Sequence, residues 1–160
     1  MNSIFLNNGN KIPIIGLGTW LMDNDFACDA VKNAIKAGYR LIDTAQAYRN
    51  EAGVGKGIRA SGISREKIFV TDKVRAEHKD YKVVRESIEE SLKLLELDFL
   101  DLMLIHSPQP WPEFRTGRNY FAENKQVWKA LEDACEEGLV KSIGAPTRSE
   151  ERRVGKECRS

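Results

Sequence analysis

At 160 residues, 41% hydrophobic and 31% charged, the chain has the size and composition of one ordinary soluble domain with a full core. A formal net charge of +1 argues against a nucleic-acid partner and against an anionic membrane. Even that charge is local: the last thirteen residues carry five basic groups against three acidic ones, and removing their +2 leaves −1 for the rest.

Ser3–Leu6 and Lys11–Ile14 flank Asn8-Gly9, a pair that tolerates positive φ and predicts a two-residue hairpin turn. Pro13 does not suit a central strand, so this hairpin is expected at the periphery, as a lid or plug. Ile14–Trp20 predicts a short strand punctuated by Gly16 and Gly18. A helix should follow from Asp25, with Phe26, Ala30, Val31, Ala34 and Ile35 on one face and Gly38 beyond its end. The strand Arg40–Ile42 then opens into Asp43-Thr44-Ala45-Gln46-Ala47-Tyr48-Arg49-Asn50-Glu51.

A second helix is expected from about Asn50 to Gly62, and a strand over Ile68–Thr71 that leads into Asp72-Lys73. The third helix has the clearest periodicity, with Val84, Ile88, Leu92 and Leu95 at helical spacing. Leu100–Ile105 is a nearly unbroken apolar strand, the pattern of burial on both faces, and it ends at His106. A fourth helix carries Val127, Trp128, Leu131 and Cys135; a last strand, Val140–Ile143, closes at Gly144.

Strand ends near Leu17, Asp43, Lys73, His106 and Gly144 recur at about thirty residues, the size of a βαβ unit. Such a pattern suits either an open doubly wound sheet or an eight-stranded barrel. A nucleotide-binding open sheet would show GxGxxG, but Gly16-Leu17-Gly18-Thr19-Trp20-Leu21 ends on leucine. Gly53-Val54-Gly55-Lys56-Gly57 lacks the Ser or Thr of a phosphate loop, so these glycines are expected to permit close helix packing. Barrels place catalytic groups at the carboxyl ends of successive strands, where Asp43, Lys73 and His106 stand. The expected fold is α/β, a (β/α)8 TIM barrel, with about its first five strands in this chain.

An aspartate after a strand is usually a cap, and a lone lysine is usually a solvated surface group. As a set these residues make chemical sense. A phenol with its ordinary pKa of about 10 is a poor proton donor near neutrality. A lysine ammonium against Tyr48 favours the phenolate, and Asp43 would keep Lys73 charged and in place. A neutral His106 could donate a hydrogen bond to a carbonyl oxygen. The four residues would polarise a C=O group and protonate it while something else attacks carbon. His78, among Glu77, Lys79 and Asp80, reads as a solvated loop residue.

GLGTW (16–20), DTAxxYxNE (43–51), FVTxK (69–73) and DLxLIH (101–106), in this order, resemble the aldo-keto reductase family over about Ser3–Gly144. The resemblance implies a (β/α)8 barrel that reduces aldehydes and ketones to alcohols with NADPH, bound without a Rossmann fold. By that resemblance Tyr48 is the general acid, and Lys73 lowers its pKa. Asp43 pairs with Lys73 and lies near the nicotinamide, and His106 orients the substrate carbonyl. Thr19 and Trp20 match positions that touch the cofactor or wall the substrate pocket. Trp111, following His106-Ser107-Pro108, is a candidate apolar wall, with an exposed loop aromatic as the alternative.

From Gly144 the family reads GVSNF, whereas this chain reads GAPTRSEERRVGKECRS. The domain is therefore expected over 1–144, with a non-homologous tail at 145–160 and little activity in the chain on its own. A non-catalytic relative, serving as a cofactor-binding or channel-associated subunit, is the alternative function; a barrel hydrolase would need a carboxylate pair or metal cluster at the strand ends. The N-terminus lacks the basic start and apolar run of a signal peptide, and no apolar run is long enough to span a membrane. Cys28, Cys135 and Cys158 are widely spaced with no CxxC pair, which predicts free thiols, no metal and a cytoplasmic location. The expected partner is a small carbonyl compound; its identity, the choice of NADPH over NADH and the oligomeric state are not legible.

Overall fold

The computed structural model describes residues 2–114 and 116–145, so the expectations for the stretch from Pro146 onward lie outside the described residues. β1 (Ser3–Phe5) and β2 (Lys11–Pro13) pair antiparallel, with Phe5 opposite Lys11. Their turn has three residues rather than two, because Leu6 N–H donates to Asn10 O and only Gly9 takes a positive φ, 85°. Asn8 has another task. Its amide and that of Asn10 each donate to Lys141 O at 3.0 Å and to Ser142 Oγ, hooking the hairpin under the last strand of the sheet. The hairpin is the peripheral plug that Pro13 suggests.

Five strands form one parallel sheet in sequence order: β3 (Leu17–Gly18), β4 (Leu41–Asp43), β5 (Phe69–Val74), β6 (Leu102–Ile105) and β7 (Ile143–Gly144). A doubly wound sheet reverses its order at a switch point. No reversal occurs here, which is the winding of a barrel. The crossovers are α1 (Asn24–Lys36), α2 (Glu51–Ala60), α3 (Tyr81–Leu95) and α4 (Phe121–Glu136), each packed on the next.

Register divides the sheet into two faces. Ile42 lies beside Val70, and Asp72 beside Met103, on the face that meets the helices, and all four are fully buried. Asp43 beside Thr71, and Lys73 beside Leu104, belong to the opposite, luminal face. The helix-side core adds Val31, Ile35, Val54, Val84, Ile88, Leu95 and Leu131. Each such side chain contributes roughly 1.5–3 kcal/mol when fully buried.

The third helix buries Val84, Ile88, Leu92 and Leu95 as its periodicity requires, and Asp80 caps it by accepting from Lys82 N and Val83 N. The first helix departs from expectation. Asp23 is its N-cap, so it starts a residue earlier, and Ala27, Val31 and Ile35 form the buried stripe while Phe26 stays 61% exposed. In α4 the stripe is Val127, Ala130, Leu131 and Ala134; Trp128 and Cys135 sit half-buried at its margin. β5 runs on through Asp72-Lys73 to Val74. The α2 glycines do serve close packing: a Cβ on Gly55 would stand 2.0 Å from Leu95 O, and one on Gly53 2.1 Å from Asn24 O. No helix among the described residues is long and apolar enough to cross a membrane.

Candidate active site

Tyr48 ends a single 3-10 turn, Gln46–Tyr48, that follows β4, and Arg49 closes the turn in the left-handed region with φ 57°. Gln46 fixes this turn. It is 3% exposed, and its Nε2 donates to Ser87 O and Ser87 Oγ (3.1 Å each) and to Ser91 Oγ (3.0 Å). Its Oε1 accepts from Arg75 N at 3.0 Å. The phenol is thereby tied to α3 and to the chain just beyond Lys73. Sequence pattern alone does not single out Gln46; the one signal is Ser87 and Ser91, a turn apart in an otherwise apolar helix face.

Beneath the turn lies a second buried network. Asn50 Nδ2 donates to Thr19 O (2.7 Å) and Met22 O (3.0 Å), while Thr44 Oγ1 donates to Asn50 Oδ1 (3.1 Å). Thr19 is fully buried, and its hydroxyl donates to Thr44 Oγ1 at 3.0 Å. The side chain of Thr19 therefore sits in the support of the site rather than in the open crevice. Trp20, beside it, is 67% exposed.

Lys73 reaches Asp43 on the luminal face, its Nζ donating to Asp43 Oδ1 and, at 2.7 Å, to Thr44 O. The ammonium is mostly buried, whereas the carboxylate keeps 40% of its side-chain surface. That ammonium lies 5.1 Å from the Tyr48 ring centroid. His106, immediately after β6, stacks edge-on against Tyr48 with ring centroids 5.7 Å apart. Burial, and then the charge of Lys73, push the His106 imidazole below its ordinary value, so it is neutral at pH 7. Its Nδ1 is buried with no hydrogen-bond partner among the described residues. Asp43, Tyr48, Lys73 and His106 thus share one crevice, as their positions at strand ends imply.

Trp111 stands edge-on to His106 at 5.4 Å, so this loop aromatic lies against the cluster. The loop after β6 is pinned by Lys79, whose Nζ donates to Ser107 O and Asn124 Oδ1, both at 2.9 Å. Burial pulls Lys79 down to about 8. His78 is not the solvated residue its charged neighbours suggest: it is half-buried, its Nδ1 has no partner among the described residues, and burial lowers its pKa. Cys28 and Cys135 are free thiols, and Cys158 lies outside the described residues. Among the described residues no group of three or more His, Cys, Asp or Glu is placed to hold a metal ion.

The sequence matches the Aldo/keto reductase family over residues 14–150. The chain belongs to the aldo/keto reductase family. Among curated relatives, glyoxal reductase of Bacillus subtilis is 43% identical over 144 residues, covering 89% of this chain and 48% of the relative. Methylglyoxal reductase of Escherichia coli is 41% identical over 141 residues, covering 88% and 47%. The chain spans about half the length of the curated relatives it matches. An aldo/keto reductase structure from Brucella melitensis superposes with a TM-score of 0.83 at 43% identity, covering 93% of this chain and 54% of that one. The Bombyx mori aldo-keto reductase in complex with NADP gives 0.78 at 39%, covering 90% and 50%. The five strands are thus the N-terminal portion of the family's barrel, and the family is one of oxidoreductases.

Proposed function

We propose that the protein to which these five strands belong reduces small aldehydes and ketones to alcohols with NADPH, and that Tyr48 donates the proton. The observation that carries this is the convergence of a phenol, a paired ammonium and a neutral imidazole in one crevice. Tyr48 protonates the carbonyl oxygen. As the proton leaves, the ammonium of Lys73, fixed by Asp43 and Thr44 O, stabilises the phenolate charge left behind. A neutral His106 donates a hydrogen bond to the same oxygen and orients the substrate. Trp111 and Trp20 offer the apolar walls of the pocket.

The residues present fit the nicotinamide end of the cofactor, because the partly exposed Asp43 carboxylate accepts hydrogen bonds on the luminal face and Trp20 presents an open ring. The cofactor would supply the hydride that attacks the carbonyl carbon. Glyoxal and methylglyoxal, named for the two bacterial relatives, are the first substrates to try.

The test joins residues 1–144 to the C-terminal half of the Bacillus subtilis glyoxal reductase. The expected outcome is NADPH-dependent turnover of methylglyoxal that Tyr48→Phe lowers by roughly 100-fold or more, the scale of a lost general acid. Turnover that survives Tyr48→Phe sinks the assignment. Tight NADPH binding without turnover would point instead to a non-catalytic subunit.

A further inference from the structure

Side chains alternate along a strand, so the residue before Lys73 points away from the crevice. Asp72 is fully buried on the helix face, where its Oδ1 accepts from Lys73 N at 2.7 Å and its Oδ2 has no partner among the described residues. Glu51, in the first turn of α2, is 5% exposed, and its Oε1 is equally without a partner. The two carboxyls lie within hydrogen-bonding reach of each other. Two buried carboxylates at such a separation repel, whereas a proton on one of them turns the repulsion into a hydrogen bond. A proton on Asp72 Oδ2, donated to Glu51 Oε1, satisfies both orphaned oxygens at once.

The charged groups around the pair do not remove that need. Lys73 sends its ammonium to Asp43 on the opposite face. Arg75, His78 and Glu90 line, with Glu51, a polar cavity of about 240 Å³. Arg75 donates to Gln46 O, His78 is held neutral by burial, and Glu90 only adds negative charge. Burial first, and the charge of Glu51 second, raise the Asp72 carboxyl well above the usual range.

We propose that Asp72 and Glu51 share one proton at neutral pH, and that this hydrogen bond is a latch positioning the strand of Lys73 against the helix that follows Tyr48. Asp72 precedes Lys73 directly, and Glu51 comes three residues after Tyr48. Separation of the two acids therefore moves the ammonium and the phenol relative to each other. The positioning role rests on the function proposed above; the shared proton does not. Because the folded state holds this proton more tightly than the unfolded chain, the stability it contributes is present at low pH. It is lost as pH rises from the ordinary carboxylate range through the raised value of the pair.

Three measurements on the 160-residue chain test the latch. Infrared spectra at pH 7 are expected to show the C=O stretch of a protonated carboxylic acid, absent from Asp72→Asn. Urea unfolding between pH 6 and 9 is expected to show wild type losing stability relative to Asp72→Asn, by up to about tenfold in the unfolding equilibrium constant per pH unit. The NMR signals of the Tyr48 ring are expected to move with the same midpoint in wild type and to stay still in Asp72→Asn. A wild-type spectrum without the protonated-acid band, or parallel pH profiles for the two proteins, overturns the shared proton. That spectrum needs no variant, so it decides the matter even if Asp72→Asn fails to fold. Tyr48 signals that ignore the transition overturn the positioning role, while aldehyde turnover in the fused barrel tests the tetrad separately.

Discussion

His106 sits beside a buried ammonium in a half-dry crevice, and both conditions favour the neutral ring. Its folded pKa lies below that of the unfolded chain, so below about pH 6.5 the unfolded state binds more protons. Stability linked to this residue is complete above that range and is lost as pH falls toward the folded value. Thermal unfolding followed by circular dichroism should show a smaller drop in Tm from pH 7 to pH 5 for His106→Asn than for wild type. Some drop should persist, because His78 is displaced in the same direction. Lys73 and Tyr48 offer a second test at this scale. If the ammonium acts only by stabilising the phenolate, Lys73→Met and Tyr48→Phe remove one effect between them. In the fused barrel each should lower kcat by roughly 100-fold or more, and the double variant should fall no further. Additive losses would mean that the two groups act separately.

Among the elements, α2 is the tightest joint. Its glycines let the backbones of α1 and α3 approach on either side, and Gly55 faces Leu95 O with no room for a methyl group. Alanine at this position gains helix propensity of about 1 kcal/mol but must force the α2–α3 contact apart. The strain of an overpacked core, typically about 1–3 kcal/mol and more against backbone, should prevail. Urea denaturation of Gly55→Ala should therefore show a clear net loss of stability, and an unchanged midpoint would disprove the close approach. The glycine run, the periodic apolar stripe of α3 and the dry strand at Leu102–Ile105 were legible because each encodes its environment within a few residues. Gln46 and Asp72 were not. Their partners come from elements some forty and twenty residues away, and only the register of β5 decides that Asp72 faces helices while Lys73 faces the crevice. The hairpin turn misled for a similar reason, since the Asn8 amide nitrogen reaches Lys141 O and Ser142 Oγ while its Oδ1 accepts from Asn10 N inside a three-residue turn.

For the molecule as a whole, the tetrad and the scaffold make different demands. All four polar groups are held by contacts within residues 19–106: Asp43 by Lys73, Lys73 by Thr44 O after β4, Tyr48 by its own turn and His106 by the end of β5. The local geometry of the site is therefore set inside this chain. Cofactor affinity is a different matter, because a dinucleotide draws much of its binding from its phosphates and not from its nicotinamide end alone. The chain covers about half of each curated relative. We expect the 160-residue chain to bind NADPH at least about 100-fold more weakly than the fused barrel, a difference of roughly 2.7 kcal/mol. Quenching of tryptophan fluorescence reads this directly, since Trp111 lies against His106 and Trp20 is an open ring on the surface. Equal affinity in the two proteins would show that the N-terminal strands carry the cofactor site by themselves. The weaker binding expected here, together with an intact Tyr48 signal by NMR, would separate a site that is built from one that is loaded.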